Sequence, residues 1–406
     1  IAYFRRGLDL LHGLPETDRR CRQEIELLIA LGSAATVVYG YAAPETRRVY
    51  DQARNLCRKL GQTPDLFTSL VALSRHYGLR GEVETERELT EQLLAIARTS
   101  QDSTLLLEAY RQMGGHMLNR GRLKESRAFW ERGASLCSIG QHEHHAYRFG
   151  HDPAIPCLAF LGITLYLLGY PDQARSPSRK LRGLRTSMTQ PASLALSNCM
   201  LAKYACIRRD VEATFHHAEA AAKLGDLHGL PSWTAVATAL RGWALIQREQ
   251  AAEGLCQLQD GTAAWQARGF THFVPFFLGL QAEACLKMKK QKEATAAVAE
   301  ASAIVRSGAD GYWMAEVQRL EGELIRAEGQ DGGGAEAHFR QAIDTARGQE
   351  AKMLELRAAA SLARLWQRQG RRQTARRVLS EVYERFDEGF GTYDLMEAAA
   401  LLKALD

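Results

Sequence analysis

The residues most able to do chemistry lie in one short stretch of the chain. His142, His144 and His145 stand close together, and His151 follows beside Asp152. Neutral imidazole binds transition metals, so a metal site is one interpretation of this cluster. The spacing matches no standard zinc pattern, and the adjacent His144 and His145 cannot easily point at one ion. We therefore predict a polar loop here, with no metal and no other cofactor.

A hydrolase built on His151 and Asp152 is a second interpretation of the same stretch. It needs a nucleophile, and Ser176 and Cys157 are weak candidates nearby. Asp152 followed by Pro153 is also typical of a helix start, where the carboxylate caps free backbone N–H groups. We therefore expect Asp152 to begin a helix and leave a binding role for His151 open.

Other chemistry-bearing patterns are weak or missing in the sequence. Glu321 and Glu328 share one predicted helix face with Glu323 nearby, but general acid–base work needs a carboxyl group in a cleft that shifts its pKa. The eight Cys residues form neither a CxxC pair nor a metal-binding spacing, which suits a reducing cytoplasm. A GxxxxGK[ST] phosphate loop is absent from the sequence. We predict that this chain has no catalytic activity of its own.

The elements that carry these residues repeat about every forty positions. A small residue opens the second helix of each predicted helical pair. The series is Thr46, Thr85, Ser126, Ala174, Ala213, Gly254, Ala294, Ala335 and Ala375. A period of 20 to 50 residues marks a solenoid, in which each unit buries its apolar face against its neighbours. Solenoids usually bind partners on an extended concave surface.

The third unit shows the packing pattern inside one repeat. Met113, Gly114 and Met117 share a helix face, and the small residue lets the partner helix approach closely. Gly121 in the following turn is expected to take the left-handed conformation that ends the first helix. The recurrence of this pattern predicts an all-α, tetratricopeptide-like superhelical solenoid of about nine helix pairs with a C-terminal capping helix.

The predicted organisation treats residues 1–406 as one repeat domain. The helical pairs are expected at 20–61, 64–100, 103–139, 152–188, 190–225, 231–268, 271–307, 311–349 and 352–387. Residues 1–18 are predicted to be the end of a preceding helix or linker, 139–152 an inserted loop, and 392–404 the capping helix. The insertion follows from the spacing of 48 between Ser126 and Ala174, where about 40 is usual.

Composition excludes several classes of protein. Hydrophobic residues make up 46% of the 406, enough to bury a sizeable interior. The net charge of +5 is small for this length, so we predict no nucleic-acid partner and no membrane surface. The sequence shows neither a signal-peptide pattern nor an apolar run of 18 residues, which favours a cytoplasmic location.

Several segments resemble one family of proteins. The stretches 147–153 (YRFGHDP), 165–174 (LYLLGYPDQA) and 388–395 (EGFGTYDL) are similar to the C-terminal tetratricopeptide region of certain bacterial signalling proteins. Those proteins join a class III adenylate/guanylate cyclase domain, a signal-transduction ATPase domain of the AAA-like (STAND) type and this repeat region. The similarity continues at 40–45, 240–245, 337–343 and 355–366 and covers nearly the whole chain.

The resemblance implies a regulatory role. The family's enzymatic domains would lie upstream of Ile1, where the sequence begins as if in the middle of a helix. The chain would then be a non-catalytic sensor arm of a larger cyclase/ATPase signalling protein. Its partner would be a protein or peptide bound in the concave groove, with its own upstream ATPase or cyclase domains as one candidate.

The repeat register predicts which residues face that groove. The first helices should form its wall, with Glu108 among the exposed positions. The remaining candidate binding residues are Arg111, Asn119, His151, Tyr166, Trp243, Gln247, Glu283, Lys287, Arg357, Arg364 and Arg368. Arg357, Arg364 and Arg368 would favour an acidic peptide or a phosphate group. Tyr166 and Trp243 would favour an apolar anchor.

A small-molecule sensor is the alternative hypothesis. Here the solenoid would control an ATPase or a transcriptional activator by binding a small effector. This hypothesis predicts an enclosed pocket on the superhelix axis, near the insertion at 139–152.

Overall fold

A computed structural model describes residues 1–61, 64–100, 102–137, 152–329 and 333–406. These residues form twenty α-helices, two short 3₁₀ helices and no β-strand. The helices are α1 (Ala2–His12), α2 (Asp18–Tyr39), α3 (Pro44–Lys59), α4 (Pro64–Leu79), α5 (Val83–Ser100), α6 (Ser103–Asn119), α7 (Leu123–Leu136), α8 (Ala154–Leu167), α9 (Arg175–Leu184), α10 (Pro191–Ile207), α11 (Val211–His228), α12 (Pro231–Gln247), α13 (Ala251–Gln266), α14 (Val274–Lys287), α15 (Gln291–Arg306), α16 (Met314–Ala327), α17 (Gly334–Gly348), α18 (Lys352–Arg368), α19 (Arg372–Tyr383) and α20 (Tyr393–Leu405).

The helices pack in successive antiparallel pairs, from α2 with α3 to α18 with α19. Within the described residues there are nine such pairs, and α20 packs on α18 and α19 after the last of them. First helices of neighbouring pairs also contact one another, so they form the inner wall of the superhelix. The predicted fold class, a tetratricopeptide-like solenoid with a capping helix, is confirmed. None of the described helices has both the length and the apolar character needed to cross a membrane.

In two repeats, the residue buried near the start of the second helix is not the small residue that was predicted. Thr85 is exposed, and the neighbouring Glu86 is buried. Ala213 is half-buried, whereas Thr214 is fully buried. The prediction was wrong at these two positions because a small side chain marks a close contact only where it faces the partner helix. The corrected series has a spacing of 40 on both sides of each position.

The predicted close approach of paired helices is tightest between α12 and α13. A Cβ atom on Gly254 would lie 2.5 Å from the carbonyl oxygen of Gly242 and 2.7 Å from the backbone nitrogen of Ile246. The neighbouring atoms are backbone, so they cannot move aside as a flexible side chain would. Ala294, which is fully buried, holds the equivalent position in the next repeat.

This contact leads to a stability prediction. Gly254→Ala should destabilise the protein by roughly 1–3 kcal/mol, as other overpacking substitutions do, although Ala is the better helix former. The matched control is Gly183→Ala in α9, where an added Cβ meets no atom within 4 Å. That control should be neutral or stabilising by up to about 1 kcal/mol. Urea denaturation measures both, and equal effects of the two substitutions would contradict the close contact.

Successive turns of the superhelix pack against each other, which the repeat pattern did not predict. Thr271 N and His272 N donate hydrogen bonds to Leu79 O at 2.9 and 3.2 Å, across 192 positions of sequence. Further along, Gly311 lies against Asn119 O, and a Cβ atom on Gly121 would lie 2.5 Å from Gln349 Nε2. The expectation that each unit contacts its neighbours alone is therefore wrong. The concave groove is therefore narrowed to an internal space along the superhelix axis, and residues of both superhelical turns line it.

The predicted insertion at 139–152 lies almost wholly outside the described residues, which resume at Asp152. Asp152 Oδ1 accepts a hydrogen bond from Ala154 N at 2.9 Å, as the predicted cap requires. Helix α8 begins at Ala154, two residues after the predicted capping residue.

Candidate functional site

A cavity of about 180 Å³ lies on the superhelix axis, between the first turn and the second. First helices α2, α4, α6, α8 and α10 supply one side, and the start of α12 and the end of α13 supply the other. It borders Pro156 and Phe160 of α8, the helix that follows the insertion. The cavity therefore lies where the small-molecule hypothesis expects one.

One wall of the cavity is aromatic. Trp265 stacks on Phe270 with ring centroids 3.9 Å apart, and Phe273 lies parallel to Trp265 at 6.1 Å. Trp233 and Phe160 extend this surface on either side. Large flat side chains of this kind bind apolar or ring-containing ligands through buried area and stacking.

The opposite wall carries a buried group of charges. Glu108 is fully buried and accepts hydrogen bonds from two guanidinium groups. Arg75 Nη2 lies 3.2 Å from both carboxylate oxygens, and Arg111 Nε lies 2.8 Å from Oε2. Burial and the neighbouring Arg75 lower the pKa of Arg111, while Glu108 opposes that shift. Two cations thus share one carboxylate at the edge of the cavity.

Buried polar atoms of the cavity lining that have no hydrogen-bond partner among the described residues include Arg111 Nη2, Asn119 Oδ1 and Trp130 Nε1. The three side chains belong to residues that are 8%, 8% and 1% exposed. Buried polar groups are nearly always satisfied in folded proteins, and each one left unsatisfied costs about 1–3 kcal/mol. Their position in the cavity lining indicates a place where a ligand is expected.

The segment between α13 and α14 joins the cavity to the contact between turns. Phe273 has a φ of 75° and Asp310 a φ of 48°, both in the left-handed region that non-glycine residues avoid. Asp310 holds this segment by accepting hydrogen bonds from His272 Nδ1 and Phe273 N, both at 2.6 Å. Backbone strain of this kind costs about 1–3 kcal/mol and clusters at functional sites. The same segment donates the two hydrogen bonds to Leu79.

A buried lysine lies behind the aromatic wall. Lys203 is fully buried, and its Nζ lies 3.3 Å from the ring centroid of Phe273 and 3.0 Å from the hydroxyl oxygen of Tyr312. Phe276 and Phe160 contribute further rings at 5.3 and 5.8 Å. Burial lowers the pKa of Lys203 to about 7, although the negative charge of Asp310 opposes the shift.

The structure places the predicted groove residues in different surroundings, and Arg111 and Asn119 are buried although they were predicted to be exposed. Arg111 and Asn119 line the axial cavity, and Lys287 and Arg368 are exposed. Gln247 is half-buried. Arg364 is about one-third exposed and pairs with Glu397 at 2.7 Å. His151, like the other three histidines of the cluster, lies outside the described residues.

The predicted exposure of Tyr166, Trp243 and Glu108 is wrong. Tyr166 and Glu108 are 0% exposed and Trp243 is 2% exposed. The Tyr166 hydroxyl donates a hydrogen bond to Asp394 Oδ2 at 2.7 Å, because α20 packs over the last repeats. Packing between superhelical turns therefore buries positions that would be exposed in an open solenoid.

Two of the predicted residues belong to an internal ion-pair network. Arg357 donates to both carboxylate oxygens of Asp394, at 2.9 and 2.8 Å. Glu283 pairs with Arg209 at 3.1 Å and with Arg319 at 2.6 Å. Burial alone would raise the pKa of Glu283, but Arg209 and Arg319 hold it well below its usual range. The groove that was predicted to take an acidic peptide thus already holds a carboxylate of the chain's own α20.

The candidate catalytic residues do not form a site in the described parts of the chain. Cys157 is fully buried and its pKa is raised by burial, whereas Ser176 is exposed on α9. Glu321 accepts hydrogen bonds from Ser302 and Arg306 at 2.8 and 3.0 Å, as a structural carboxylate does. The described residues contain no group of three or more His, Cys, Asp or Glu side chains placed to hold a metal ion.

Sequence reasoning missed most of the cavity lining. The density of aromatic residues between 265 and 277 was a usable signal, since Trp265, Phe270 and Phe273 fall in it. The Gly114–Gly115 pair was another. A Cβ on Gly114 would lie 2.7 Å from the Trp130 ring, whereas one on Gly115 would point into the cavity region, 3.9 Å from the nearest Trp130 atom. Only the first of these glycines is required by helix packing.

Comparisons with known proteins support the fold alone. No protein-family model matches the chain, and no curated protein matches it. Among solved structures, the Rap protein complexed with competence and sporulation factor is similar over 95% of this chain and 99% of that one, with a TM-score of 0.60 and 10% identity. The apo form of the quorum sensor NprR from B. thuringiensis has a TM-score of 0.49 and 12% identity, covering 89% of this chain and 98% of that one. The second likeness is too distant to carry a conclusion.

Proposed function

We propose that this chain is a non-catalytic, ligand-responsive regulatory arm whose effector binds in the axial cavity. One observation carries the proposal: a cavity with one aromatic wall, lined by both superhelical turns, holds buried polar atoms of Arg111, Asn119 and Trp130 without a partner among the described residues. A cavity and unsatisfied buried polar atoms each cost stability, so their occurrence at one place supports a ligand site there.

A ligand bound in the cavity can also change how the two superhelical turns pack on each other. His272 and Phe273 line it, and Thr271 and His272 bond to Leu79 of the other turn. A ligand that binds one arrangement of this segment more tightly than another shifts the packing of turn on turn. The coupling free energy equals the difference in affinity between the two arrangements.

We further propose that the arm controls a catalytic domain of the cyclase or ATPase type, in a reducing cytoplasm. The support is the resemblance of the segments 147–153, 165–174 and 388–395 to a family with such domains. All eight cysteines are free thiols. A fold of this shape also holds a bound factor in the Rap complex.

The test uses indole as an apolar ring probe and Gly115→Leu as the variant. The new side chain projects toward the cavity from a helical position with ordinary contacts, so the fold should be kept. Indole should quench the fluorescence of Trp233 and Trp265 and raise the melting temperature of the wild-type protein. In the variant, both effects should be lost, with at least a tenfold weaker affinity, because the ring's space is filled.

Gly183→Leu is the matched control, since a Cβ there meets no atom within 4 Å and lies outside the cavity. It should bind indole like the wild type. Amide exchange at Thr271 and His272 should slow on binding, because these groups bond across the turns. If indole leaves melting and exchange unchanged, or binds Gly115→Leu as well as the wild type, the cavity is not the effector site.

A partner-protein function is the second candidate, favoured by the pair of Arg357 with Asp394. The groove already binds a carboxylate presented by a helix, so an acidic partner segment could take the place of α20. Asp394→Ala should then bind a short poly-glutamate peptide more tightly than the wild type does. No gain in peptide affinity for the variant would count against this role.

A further inference from the structure

Two cysteine side chains meet where α7 ends and α8 begins. Cys137 follows the last residue of α7, and Cys157 lies in the first turn of α8. Both thiols lie against Gly133. Cys137 Sγ donates a hydrogen bond to Gly133 O at 3.3 Å, and a Cβ atom on Gly133 would lie 2.8 Å from Cys157 Sγ. The two thiols are also hydrogen-bonded to each other, and both are free.

The two thiols differ in how easily an oxidant reaches them. Cys137 is half-buried, whereas Cys157 is fully buried. Burial raises the pKa of Cys157, and the hydrogen bond with Cys137 raises it further. Because the thiolate is the reactive form, Cys157 is protected from direct oxidation. An accessible thiol held beside a second thiol that can resolve it is the usual arrangement of a redox-sensitive pair.

The backbone at Cys137 leaves room for a bond between the sulfur atoms. A disulfide needs the two sulfurs to close from contact to about 2 Å. Cys137 has φ of −71° and ψ of 101°, so the chain is already extended there and has left the helix. Cys137 can therefore shift toward Cys157 without breaking the helical hydrogen bonds of α7. Helices α7 and α8 pack directly on each other, which holds the rest of the geometry in place.

We propose that Cys137 and Cys157 form a reversible disulfide in response to a peroxide, and that this bond ties α7 to α8. The peroxide oxidises the Cys137 thiol to a sulfenic acid and releases one water. The Cys157 sulfur then attacks the Cys137 sulfur, the S–O bond breaks, and the hydroxyl group leaves with the Cys157 proton as a second water. The two thiols are oxidised by two electrons in total, and the peroxide is reduced to the two waters.

The bond would act on one side of the axial cavity. Trp130 of α7 stacks on Phe160 of α8 with ring centroids 5.4 Å apart, and both residues line the cavity. A disulfide between the same two helices restrains this stacked pair. It also closes the loop of chain between them, which stabilises the folded state at the expense of the unfolded one. The modification itself needs no ligand in the cavity, so it stands or fails separately from the proposed function.

The experiment maps the bond in the full chain. The folded protein is treated with hydrogen peroxide, its remaining thiols are blocked with N-ethylmaleimide, and it is digested with trypsin without reduction. Trypsin cleaves after Arg148, so the two cysteines fall in the separate peptides 133–148 and 149–175. The wild type should give these peptides as one linked species, lighter than their sum by two hydrogen atoms. The oxidised protein should also melt at a higher temperature, and dithiothreitol should reverse both effects.

Two variants separate the roles of the thiols, with dimedone added to label sulfenic acids. Cys157→Ala should lose the linked species and carry the label at Cys137, because no thiol remains to resolve the sulfenic acid. Cys137→Ala should lose the linked species and leave Cys157 unlabelled, because that thiol is buried.

Cys256→Ala is the matched control and should form the link as the wild type does. Cys256 is exposed, but its thiol is hydrogen-bonded to Asp260 Oδ2 at 3.4 Å, and this carboxylate raises the pKa of Cys256. Exposure without a neighbouring thiol is thereby tested beside the pair. A circular dichroism melt before oxidation shows that each variant is folded.

Three outcomes overturn the inference. The first is the absence of the linked species in the oxidised wild type, and the second is a link from Cys137 to a different cysteine. The third is a link that forms faster in urea than in buffer, because the fold would then not be what positions the two thiols.

Discussion

Lys203→Met is expected to stabilise the protein by roughly 3 kcal/mol at pH 6. Lys203 is fully buried and its pKa is lowered to about 7 from 10.5, a shift in which each unit is worth about 1.4 kcal/mol. The rings of Phe273, Phe276 and Tyr312 offset part of that cost through cation–π attraction. Methionine keeps the length of the side chain and removes the buried charge.

The pH dependence gives the sharper form of this prediction. In the folded state Lys203 loses its proton near pH 7, and in the unfolded state near pH 10.5, so the unfolded state binds more protons between these values. Stability therefore rises with pH through this window as far as Lys203 is concerned. The rise should be present in the wild type and absent in Lys203→Met.

Urea denaturation at pH 6 and pH 9 measures the effect as a difference between the two proteins. The buried thiols of Cys199 and Cys206, whose pKa values burial raises, stay protonated at pH 9 in both folded proteins, so their contribution cancels in this difference. Lys180→Met is the control, because Lys180 is exposed on α9 and its replacement should change little at either pH. A stability difference for Lys203→Met that is the same at both pH values would contradict the buried charge.

Asp394→Ala is expected to destabilise the C-terminal repeats by about 3–5 kcal/mol, the usual effect of removing one partner of a buried ion pair. Asp394 accepts two hydrogen bonds from Arg357 and one from Tyr166, and all three side chains are nearly inaccessible. Without the carboxylate, Arg357 is left as a buried charge. Helix α20 also loses the contact that joins it to α8 and α18.

Hydrogen exchange of the α20 amides, together with urea denaturation, measures this loss. Glu397→Ala on the same helix is the matched control, because the Glu397–Arg364 pair is partly exposed and should contribute less than about 1 kcal/mol. Burial alone would raise the pKa of Asp394, but Arg357 lowers it, so the contribution should disappear as the pH falls below about 4. Equal exchange in the two variants would mean that α20 is held by its apolar face alone.

The solenoid was predictable because its determinants are local. Helix-period apolar faces, small residues near the start of second helices and Gly121 in its turn, with φ of 70°, all act over a few positions. The nine pairs and the cap followed from them. The predicted buried positions were still wrong at Thr85 and Ala213. A helix face shifted by one residue leaves the composition of the segment unchanged, so the sequence pattern does not reveal the shift.

The candidate site was predictable only in fragments. Arg111 and Asn119 were predicted to bind a ligand from their register alone, and they do line the cavity. Trp233, Trp265 and Phe273 were missed because they lie on the second superhelical turn, far along the sequence from α6. Tyr166 and Trp243 were placed on an exposed wall that the packing of turn on turn buries.

The sequence by itself determined the helical pairs, their order and the absence of familiar nucleotide and metal motifs. Only the tertiary structure decided that the groove closes, that Asp394 fills one part of it, and that the rest forms a cavity with an aromatic wall facing Arg75 and Arg111. The physical reason is the range of the interactions. Helix formation and pairing depend on residues within about forty positions, whereas the contacts that close the axis join residues 192 or more positions apart.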